Sequence, residues 1–303
     1  MTSMTAASAR ARPGLLTRTW SFAKRQALTV YALLVVAYLM LPIAVVILFS
    51  FNKPAGRFNY VWEEFTLDNW VNWNAVLGIQ DAVITSLEVG LLATVVATAL
   101  GTLIAMAIVR HHFVGRGTTN LLVFLPMSTP EIVLGASLLT LFLNTTAVFQ
   151  LGFVTIFIAH VMFIVSFVVV TVKARLIGFD RHLEEAAMDL GANEWVTFWK
   201  VTFPLILPGI LAAALLAFSL SIDDFIITQF TAGTEQTFPI WVWASIRNNL
   251  PPQVHVIGTM VFLGAVGLVA ISTIYERWAE RRDRRIAREE AAKAAAAHLA
   301  VPE

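Results

Sequence analysis

The chain has 303 residues, of which 58% are hydrophobic and 14% are charged, and its formal net charge at pH 7 is +1. This composition excludes a soluble globular domain and indicates an integral membrane protein. The absence of cysteine excludes disulfides and thiolate metal sites, and because no Lys follows a Gly, a GxxxxGK[ST] nucleotide-binding loop is excluded too.

Six apolar stretches are each long enough, at about 20 residues, to cross a bilayer as a helix. They follow a basic N-terminal tail, residues 1–26. The first stretch is too long for a cleaved signal peptide, so we predict an uncleaved anchor. The predicted spans are 27–50, 82–109, 118–143, 152–174, 205–230 and 255–276. We therefore predict an all-α membrane protein with six transmembrane helices, in a domain of residues 27–276.

The distribution of Lys and Arg predicts the orientation of these spans. With six spans, both termini share one side of the membrane. Of the 21 Lys and Arg residues, three (Lys53, Arg57 and Arg247) lie in loops on the other side, and the remaining 18 lie on the side of the tails. Because basic residues are enriched in cytoplasmic loops, both termini are predicted to be cytoplasmic.

Two predicted outer loops are rich in aromatic residues. They are residues 51–81 and residues 231–254, and the second is predicted to hold a short helix. Aromatic side chains at this depth are typical of the interfacial belt of a membrane protein. The alternative is that these loops receive an external solute-binding protein.

Ionisable residues interrupt the third and fourth spans. Glu131 follows Pro130, and this proline together with Pro126 predicts a kinked or broken helix whose free carbonyls could help coordinate a cation. A purely structural kink is the alternative. His160, in the fourth span, is interpreted as a hydrogen-bonded packing residue. No second His or carboxylate stands beside it at metal spacing, so no metal site is predicted.

The loop between the fourth and fifth spans, residues 179–204, contains the most informative pattern in the chain. A short acidic helix is predicted there, and one shallow side of it is formed by residues three and four positions apart: Phe179, Leu183, Ala186 and Leu190. Gly191 is predicted to end this helix in a left-handed turn. Asn193 is predicted to cap a second short helix that contains Trp195, Phe198 and Trp199. An ordinary amphipathic loop is the alternative.

The fifth span contains two adjacent acids, Asp223 and Asp224, in its outer half. A mid-span Asp costs about 2.5–3.5 kcal/mol on insertion scales, which favours a role in the substrate pathway. In a continuous helix Asp224 shares a face with Ser221 and Thr228, and this polar face is predicted to line the pathway. Asp223 is then predicted to bond a neighbouring group. The alternative is that the helix ends near Ile222 and both acids are caps.

The last segment, residues 277–303, is predicted to be a charged cytoplasmic helix. Arg and Glu alternate along its first part, and an Ala-rich stretch follows. Basic residues just inside a span also favour anionic membrane lipid.

The loop 179–204 resembles the cytoplasmic coupling motif of ABC-importer permeases. The resemblance is carried by Glu185-Ala186-Ala187, Gly191 and Val201-Thr202-Phe203-Pro204, with Val and Phe where the family usually has Ile and Leu. In that family the loop docks into a cleft of a separate ATP-hydrolysing subunit. The resemblance implies docking roles for Glu185, Ala186, Ala187 and Gly191, to which we add the neighbouring acids Glu184 and Asp189.

A longer series of motifs, from about Leu121 to Pro239, is similar to the second permease subunit of spermidine/putrescine importers. It includes Pro130-Glu131-Ile132, the coupling loop and Ser221-Ile222-Asp223-Asp224-Phe225. The resemblance implies a type I importer permease in the bacterial inner membrane. Its partners would be a sister permease, two ATPase subunits and an external solute-binding protein, with no nucleic acid. ATP and Mg²⁺ would bind the ATPase, while this chain would bind no cofactor and would not be an enzyme.

Acids at two depths, with no Lys or Arg inside a span apart from Lys173 one residue before the end of the fourth, favour a cationic or neutral polar passenger over an anion. The candidate pathway residues are Asp223, Asp224, Glu131, Ser221 and Thr228. We predict that the chain forms half of an alternating-access pathway for a polyamine-like cation. The alternatives are a permease for an amino acid, an opine or a related amine, an intramembrane enzyme that uses the two aspartates, and a membrane scaffold that binds a cytosolic protein.

Overall fold

The computed structural model describes residues 15–146, 148–247 and 249–299, and these residues are mainly helical. Much of the predicted basic tail, up to residue 14, lies outside the described residues, and the rest of it belongs to the first helix. The elements are α1 (Leu15–Phe49), β1 (Asn52–Lys53), β2 (Glu64–Phe65), α2 (Asp68–Val71), α3 (Ile79–Arg110), α4 (Arg116–Ser128), α5 (Glu131–Asn144), α6 (Phe153–Ile177), α7 (His182–Asp189), α8 (Glu194–Thr197), a π-helical turn (Phe198–Thr202), α9 (Phe203–Ile222), α10 (Ile226–Thr231), α11 (Phe238–Ile246) and α12 (Pro252–Leu299).

The predicted number of spans agrees with the helices. Among the described residues, five helices are long and apolar enough to cross a membrane, and the bent pair α4–α5 makes a sixth when it is counted as one span. The axes of α4 and α5 differ by 106°. The break falls at Thr129 and Pro130, because the residue before a proline is disfavoured in a helical conformation. The kink predicted from the prolines is confirmed.

The fifth span differs from the continuous helix that we predicted over 205–230. Helix α9 ends at Ile222 and α10 begins at Ile226, so Asp223 and Asp224 lie in a break. The carboxylate of Asp224 accepts a hydrogen bond of 2.8 Å from the backbone N–H of Thr228, and it thereby satisfies a donor at the start of α10. The alternative predicted a helix end near Ile222, and this end is confirmed.

The sixth span and the charged terminal helix form one continuous helix, α12. It runs without interruption to Leu299, and residues 300–303 lie outside the described residues. The short helix predicted in the last outer loop is α11.

Among the described residues, 15–73 and 250–299 form one compact unit, in which α1 packs on α12. Buried asparagines hold the segment between α1 and α2. The amide of Asn59 donates to the carbonyl of Phe49 over 2.8 Å, and the amide of Asn52 donates to the side-chain oxygen of Asn59 over 2.7 Å. Asn69 donates to the carbonyl of Asn52 over 2.8 Å. These bonds satisfy polar groups that would be costly to bury unpaired.

Residues 74–249 form the second compact unit, which is built on the packing of α3 against α6 and α9. The contacting face of α3 is lined by small residues, which allow neighbouring backbones to approach closely. A Cβ atom placed on Gly101 would lie 2.6 Å from Cγ1 of Val168 on α6. The same close approach joins the two broken spans, since a Cβ on Gly135 of α5 would lie 2.6 Å from the Phe230 ring of α10.

Candidate functional site

The coupling loop contains the helix and the turn that the sequence predicts. Helix α7 ends at Asp189, and Gly191 has a left-handed φ of 88°. The N–H of Gly191 donates to the carbonyl of Met188 over 2.9 Å, and the N–H of Ala192 donates to the carbonyl of Ala187 over 3.1 Å. This paired pattern is a Schellman motif, which satisfies the free carbonyls at the end of a helix. The turn leaves Leu190 90% exposed.

The second part of the loop is a short helix followed by a π-helical turn. Oδ1 of Asn193 accepts a 2.9 Å hydrogen bond from the N–H of Val196, which confirms the predicted cap of α8. Trp195 and Trp199 are 69% and 47% exposed, and their ring centroids are 5.9 Å apart in an edge-to-face arrangement. The loop therefore exposes three large apolar side chains, Leu190, Trp195 and Trp199.

The predicted docking residues divide into two groups. Glu185, Ala186, Asp189 and Gly191 are exposed and Ala187 is half-buried, so these residues are open to a partner. Glu184 is different, because it is buried and its carboxylate points into the protein. It was predicted together with the docking residues, but on a short helix adjacent residues face different directions, and Glu184 lies on the buried side.

The carboxylate of Glu184 is bound by groups from two other elements. Nη1 of Arg110, the last residue of α3, lies 2.5 Å from both carboxylate oxygens. The hydroxyl of Thr202 also donates to this carboxylate. The guanidinium of Arg110 in turn lies over the Phe179 ring, at 5.5 Å from its centroid. Sequence reasoning missed this pair, because the two residues are 74 positions apart.

His182 lies on the exposed side of α7. Its Nδ1 is 3.0 Å from Oε2 of Glu185. The hydrogen bond with Glu185, followed by the negative charges of Asp180 and Glu185, raises the pKa of His182 above its ordinary value. A histidinium–glutamate pair is thus favoured at the point where the coupling motif begins.

A buried polar cluster surrounds His160 of α6. Nδ1 of His160 lies 2.7 Å from the hydroxyl of Ser221, and Nε2 lies 2.8 Å from that of Thr228. Nε2 also lies 3.4 Å from Oδ2 of Asp224, which accepts a 2.7 Å hydrogen bond from Thr228. The interpretation of His160 as a hydrogen-bonded packing residue is confirmed. The cluster joins α6, α9 and α10 around the break in the fifth span.

The two aspartates have opposite surroundings. Asp224 is 9% exposed and lies in the His160 cluster, whereas Asp223 is exposed. This reverses the geometry that we predicted from a continuous helix, in which Asp224, Ser221 and Thr228 formed an open polar face and Asp223 was bonded to a neighbour. The three residues do come together, but around a histidine. The reason is the helix break, which turns the Asp224 side chain back onto α10.

Glu131 is exposed at the first turn of α5, directly after the break at Pro130. Asp223 and Glu131 are therefore the two predicted pathway acids whose side chains are exposed. Within the described residues, no group of three or more His, Asp or Glu side chains has the arrangement of a metal site.

Residues 97–288 match the family of the binding-protein-dependent transport system inner membrane component. The chain is 34% identical over 252 residues to the spermidine/putrescine transport system permease protein PotC of Haemophilus influenzae, which covers 82% of this chain and 95% of that protein. It is also 34% identical over 256 residues to the putrescine transport system permease protein PotI of Escherichia coli K12, which covers 81% and 89% of the two chains.

Solved structures show the same fold at low sequence identity. A bacterial ABC transporter involved in the import of the acidic polysaccharide alginate matches with a TM-score of 0.63 and 15% identity, over 86% of this chain and 98% of that chain. An amino acid ABC transporter matches with a TM-score of 0.54 and 15% identity, over 71% and 99% of the two chains. Because these two transporters are named for chemically different solutes, the shared fold does not identify a substrate.

Proposed function

Because the chain belongs to the family of inner membrane components of binding-protein-dependent transport systems, we propose that it forms half of the translocation pathway of an ATP-driven importer for a polyamine-like cation. The chain is a multi-pass permease subunit of the inner membrane and not an enzyme, and ATP hydrolysis belongs to a separate subunit. The observation that supports the polyamine substrate is 34% identity over about four-fifths of the chain to the permeases of spermidine and putrescine systems.

The charges of the chain support a cation as passenger. Asp223 and Glu131 are exposed next to the two helix breaks, and the basic residues of α6, Lys173 and Arg175, lie among its last five residues. A unit positive charge about 4 Å from a carboxylate gains about 4 kcal/mol at an effective dielectric constant of 20. Two separated sites of this kind attract an amine without forming one deep well, so release remains fast.

The coupling role is assigned to the exposed part of the loop 179–204. Glu185, Ala186, Ala187, Asp189 and Gly191 form the docking surface for the ATPase, and the exposed Leu190 and Trp195 extend it with apolar area. ATP-driven closure of the ATPase pair then displaces this loop and rocks the spans between inward and outward openings. The full assembly contains this chain, a sister permease, two ATPase subunits that hold ATP and Mg²⁺, and an external solute-binding protein.

The alternatives make different predictions. An intramembrane enzyme built on the two aspartates needs both carboxylates at one site, but Asp224 is engaged by His160 and Thr228 while Asp223 is exposed. A scaffold without transport leaves the exposed acids without a role. A permease for an amino acid, an opine or another amine shares the fold and the loop, and only a transport measurement separates it from a polyamine permease.

The test is uptake by proteoliposomes that contain the complete assembly. We expect ATP-dependent accumulation of radiolabelled spermidine or putrescine, competition between these two amines, and little competition by a neutral amino acid. Stoichiometric copurification of an ATPase whose hydrolysis is stimulated by the loaded binding protein is expected as well. Accumulation of the amino acid instead would overturn the polyamine assignment, and conversion of the solute without an ATPase would overturn transport itself.

A further inference from the structure

The contacts of Glu184 connect the coupling loop to the end of α3. The Glu184 side chain is 11% exposed and that of Arg110 is 21% exposed, whereas the side chain of the adjacent Glu185 is 63% exposed. A carboxylate held by one guanidinium nitrogen and one hydroxyl has a satisfied, charge-assisted environment. Removal of one partner would leave the other charge buried and unpaired, so the pair resists separation.

Two further contacts converge on the same end of α3. Nη2 of Arg181, at the start of α7, donates to the carbonyl of Val109 over 3.2 Å. The Phe179 ring lies beneath the guanidinium of Arg110, at 5.5 Å. All of these contacts are made by residues 179–184, which come just before the exposed docking residues 185–191. The loop therefore has one segment that faces the bundle and another that faces outward.

Helix α3 is the element through which a displacement would reach the rest of the unit. In the sequence α7 follows α6 and precedes α8 and α9, whereas α3 is distant from it. The contacts of Glu184, Arg181 and Phe179 connect this segment to the end of α3. The face of α3 packs on α6 so closely that Gly101 has no room for a Cβ atom. Because tightly packed interiors transmit strain, a push on the end of α3 would move the packed helices together.

We propose that Glu184 and Arg110 are positioning residues that transmit movement of the docked coupling loop to α3, and that Glu184 does not itself contact the ATPase. This inference rests on the proposed function of the loop. It assigns two different roles to adjacent glutamates: Glu185 binds the partner and Glu184 conveys its displacement. The expected consequence of breaking the pair is uncoupling, in which ATP is hydrolysed but little solute is moved.

The experiment uses the complete assembly in proteoliposomes, with spermidine as the transported probe. The variants are Glu184→Gln, Arg110→Gln, and the exchange Arg110→Glu with Glu184→Arg. Glu185→Lys is the contrasting variant, and Arg116→Gln, at the start of α4 and outside the loop 179–204, is the matched control. Three quantities are measured for each: the amount of ATPase that copurifies, ATP hydrolysis stimulated by the loaded binding protein, and spermidine uptake.

We expect Glu184→Gln and Arg110→Gln to lower uptake about tenfold while copurification and stimulated hydrolysis stay within about twofold of the unmodified assembly. The exchange restores uptake in part, and Arg116→Gln leaves all three quantities unchanged. Loss of the ATPase from the Glu184→Gln assembly would overturn the inference, because Glu184 would then be a docking residue. Normal uptake would overturn it too. The inference would also be overturned if Glu184→Gln or Arg110→Gln lowered the amount of protein inserted in the membrane and the exchange restored that amount. The pair would then only stabilise the fold.

The proposed function fails in a different way. If Glu185→Lys retains the ATPase, the proposed docking surface is wrong. If the unmodified assembly does not accumulate spermidine, the proposed substrate is wrong. The hydrolysis-to-uptake ratio of the Glu184 variants remains readable with any solute that the assembly does transport. The two failures are therefore distinguishable.

Discussion

Asp223 and Asp224 are sequence neighbours whose surroundings differ enough to give them separate tasks. The carboxylate of Asp224 accepts hydrogen bonds from the backbone N–H and the hydroxyl of Thr228, and it lies 3.4 Å from His160. The residue Asp223, by contrast, is exposed. We therefore expect Asp224 to matter for stability and Asp223 to matter for transport.

We expect Asp224→Ala to destabilise the protein by about 1–3 kcal/mol, because the buried N–H of Thr228 loses the carboxylate that accepts its hydrogen bond. Size-exclusion chromatography after heating in detergent would show the loss as a lower temperature of aggregation. Asp223→Ala is the matched control: it should keep the unmodified stability but reduce spermidine uptake. Equal stability of the two variants, or normal uptake by Asp223→Ala, would contradict this assignment.

Gly191 allows a second test at a single residue. Its φ of 88° is strained for a residue with a Cβ atom, although no atom lies within 4 Å of the position that a Cβ would take. Gly191→Val should therefore disturb the turn at a cost of about 1–2 kcal/mol without a steric clash. We expect less copurifying ATPase and lower uptake.

Gly115, between α3 and α4, is the control for Gly191. It has a φ of 93° and equally open surroundings, but it lies outside the coupling loop. Gly115→Val should carry similar strain and keep the ATPase. If both variants lose the ATPase to the same extent, general destabilisation would explain the result and the loop would have no special role.

At the scale of the elements, the helices that pack on one another do so through small residues. Gly101→Ala places a Cβ atom 2.6 Å from Val168 Cγ1 and 3.2 Å from the backbone oxygen of Val165. We expect a loss of about 1–3 kcal/mol from this overpacking. Thermal aggregation in detergent measures it.

The matched substitution is Gly117→Ala in α4, where no atom lies within 4 Å of an added Cβ. Because Ala has a higher helix propensity than Gly, this variant should be neutral or stabilised by up to about 1 kcal/mol. A Gly101→Ala protein as stable as Gly117→Ala would show that the contact between α3 and α6 is looser than the structure indicates.

The elements also show what can be predicted from this sequence. Prolines, glycines and the Asn193 cap act through the local backbone, so the break before α5, the turn at Gly191 and the start of α8 were all predictable. The break before α10 has no proline or glycine. It depends on a capping aspartate held by a histidine from another helix, and the pair of Glu184 and Arg110 depends on an equally distant contact. Interactions across the bundle leave little trace in a single sequence.

At the scale of the whole molecule, the surface is that of a protein surrounded by lipid. In α1, none of the residues Gln26–Phe49 is buried within the protein, and large aliphatic side chains are exposed on other apolar helices. In water such a surface would drive aggregation, whereas in a bilayer it needs no cover. The exposed loops must then lie on two sides of the membrane, and the bias of Lys and Arg predicts which loops are cytoplasmic.

The assignment can be tested because the chain has no cysteine of its own. Two exposed loop residues suit single-cysteine labelling: Glu63, between β1 and β2, and Val114, between α3 and α4. If 18 of the 21 basic residues lie on the cytoplasmic side, Glu63→Cys should react with a membrane-impermeant maleimide in intact spheroplasts. Val114→Cys should react only after the membrane is opened. The opposite pattern would invert the topology and place the coupling loop away from the ATP of the cytoplasm, where no cytosolic ATPase could reach it.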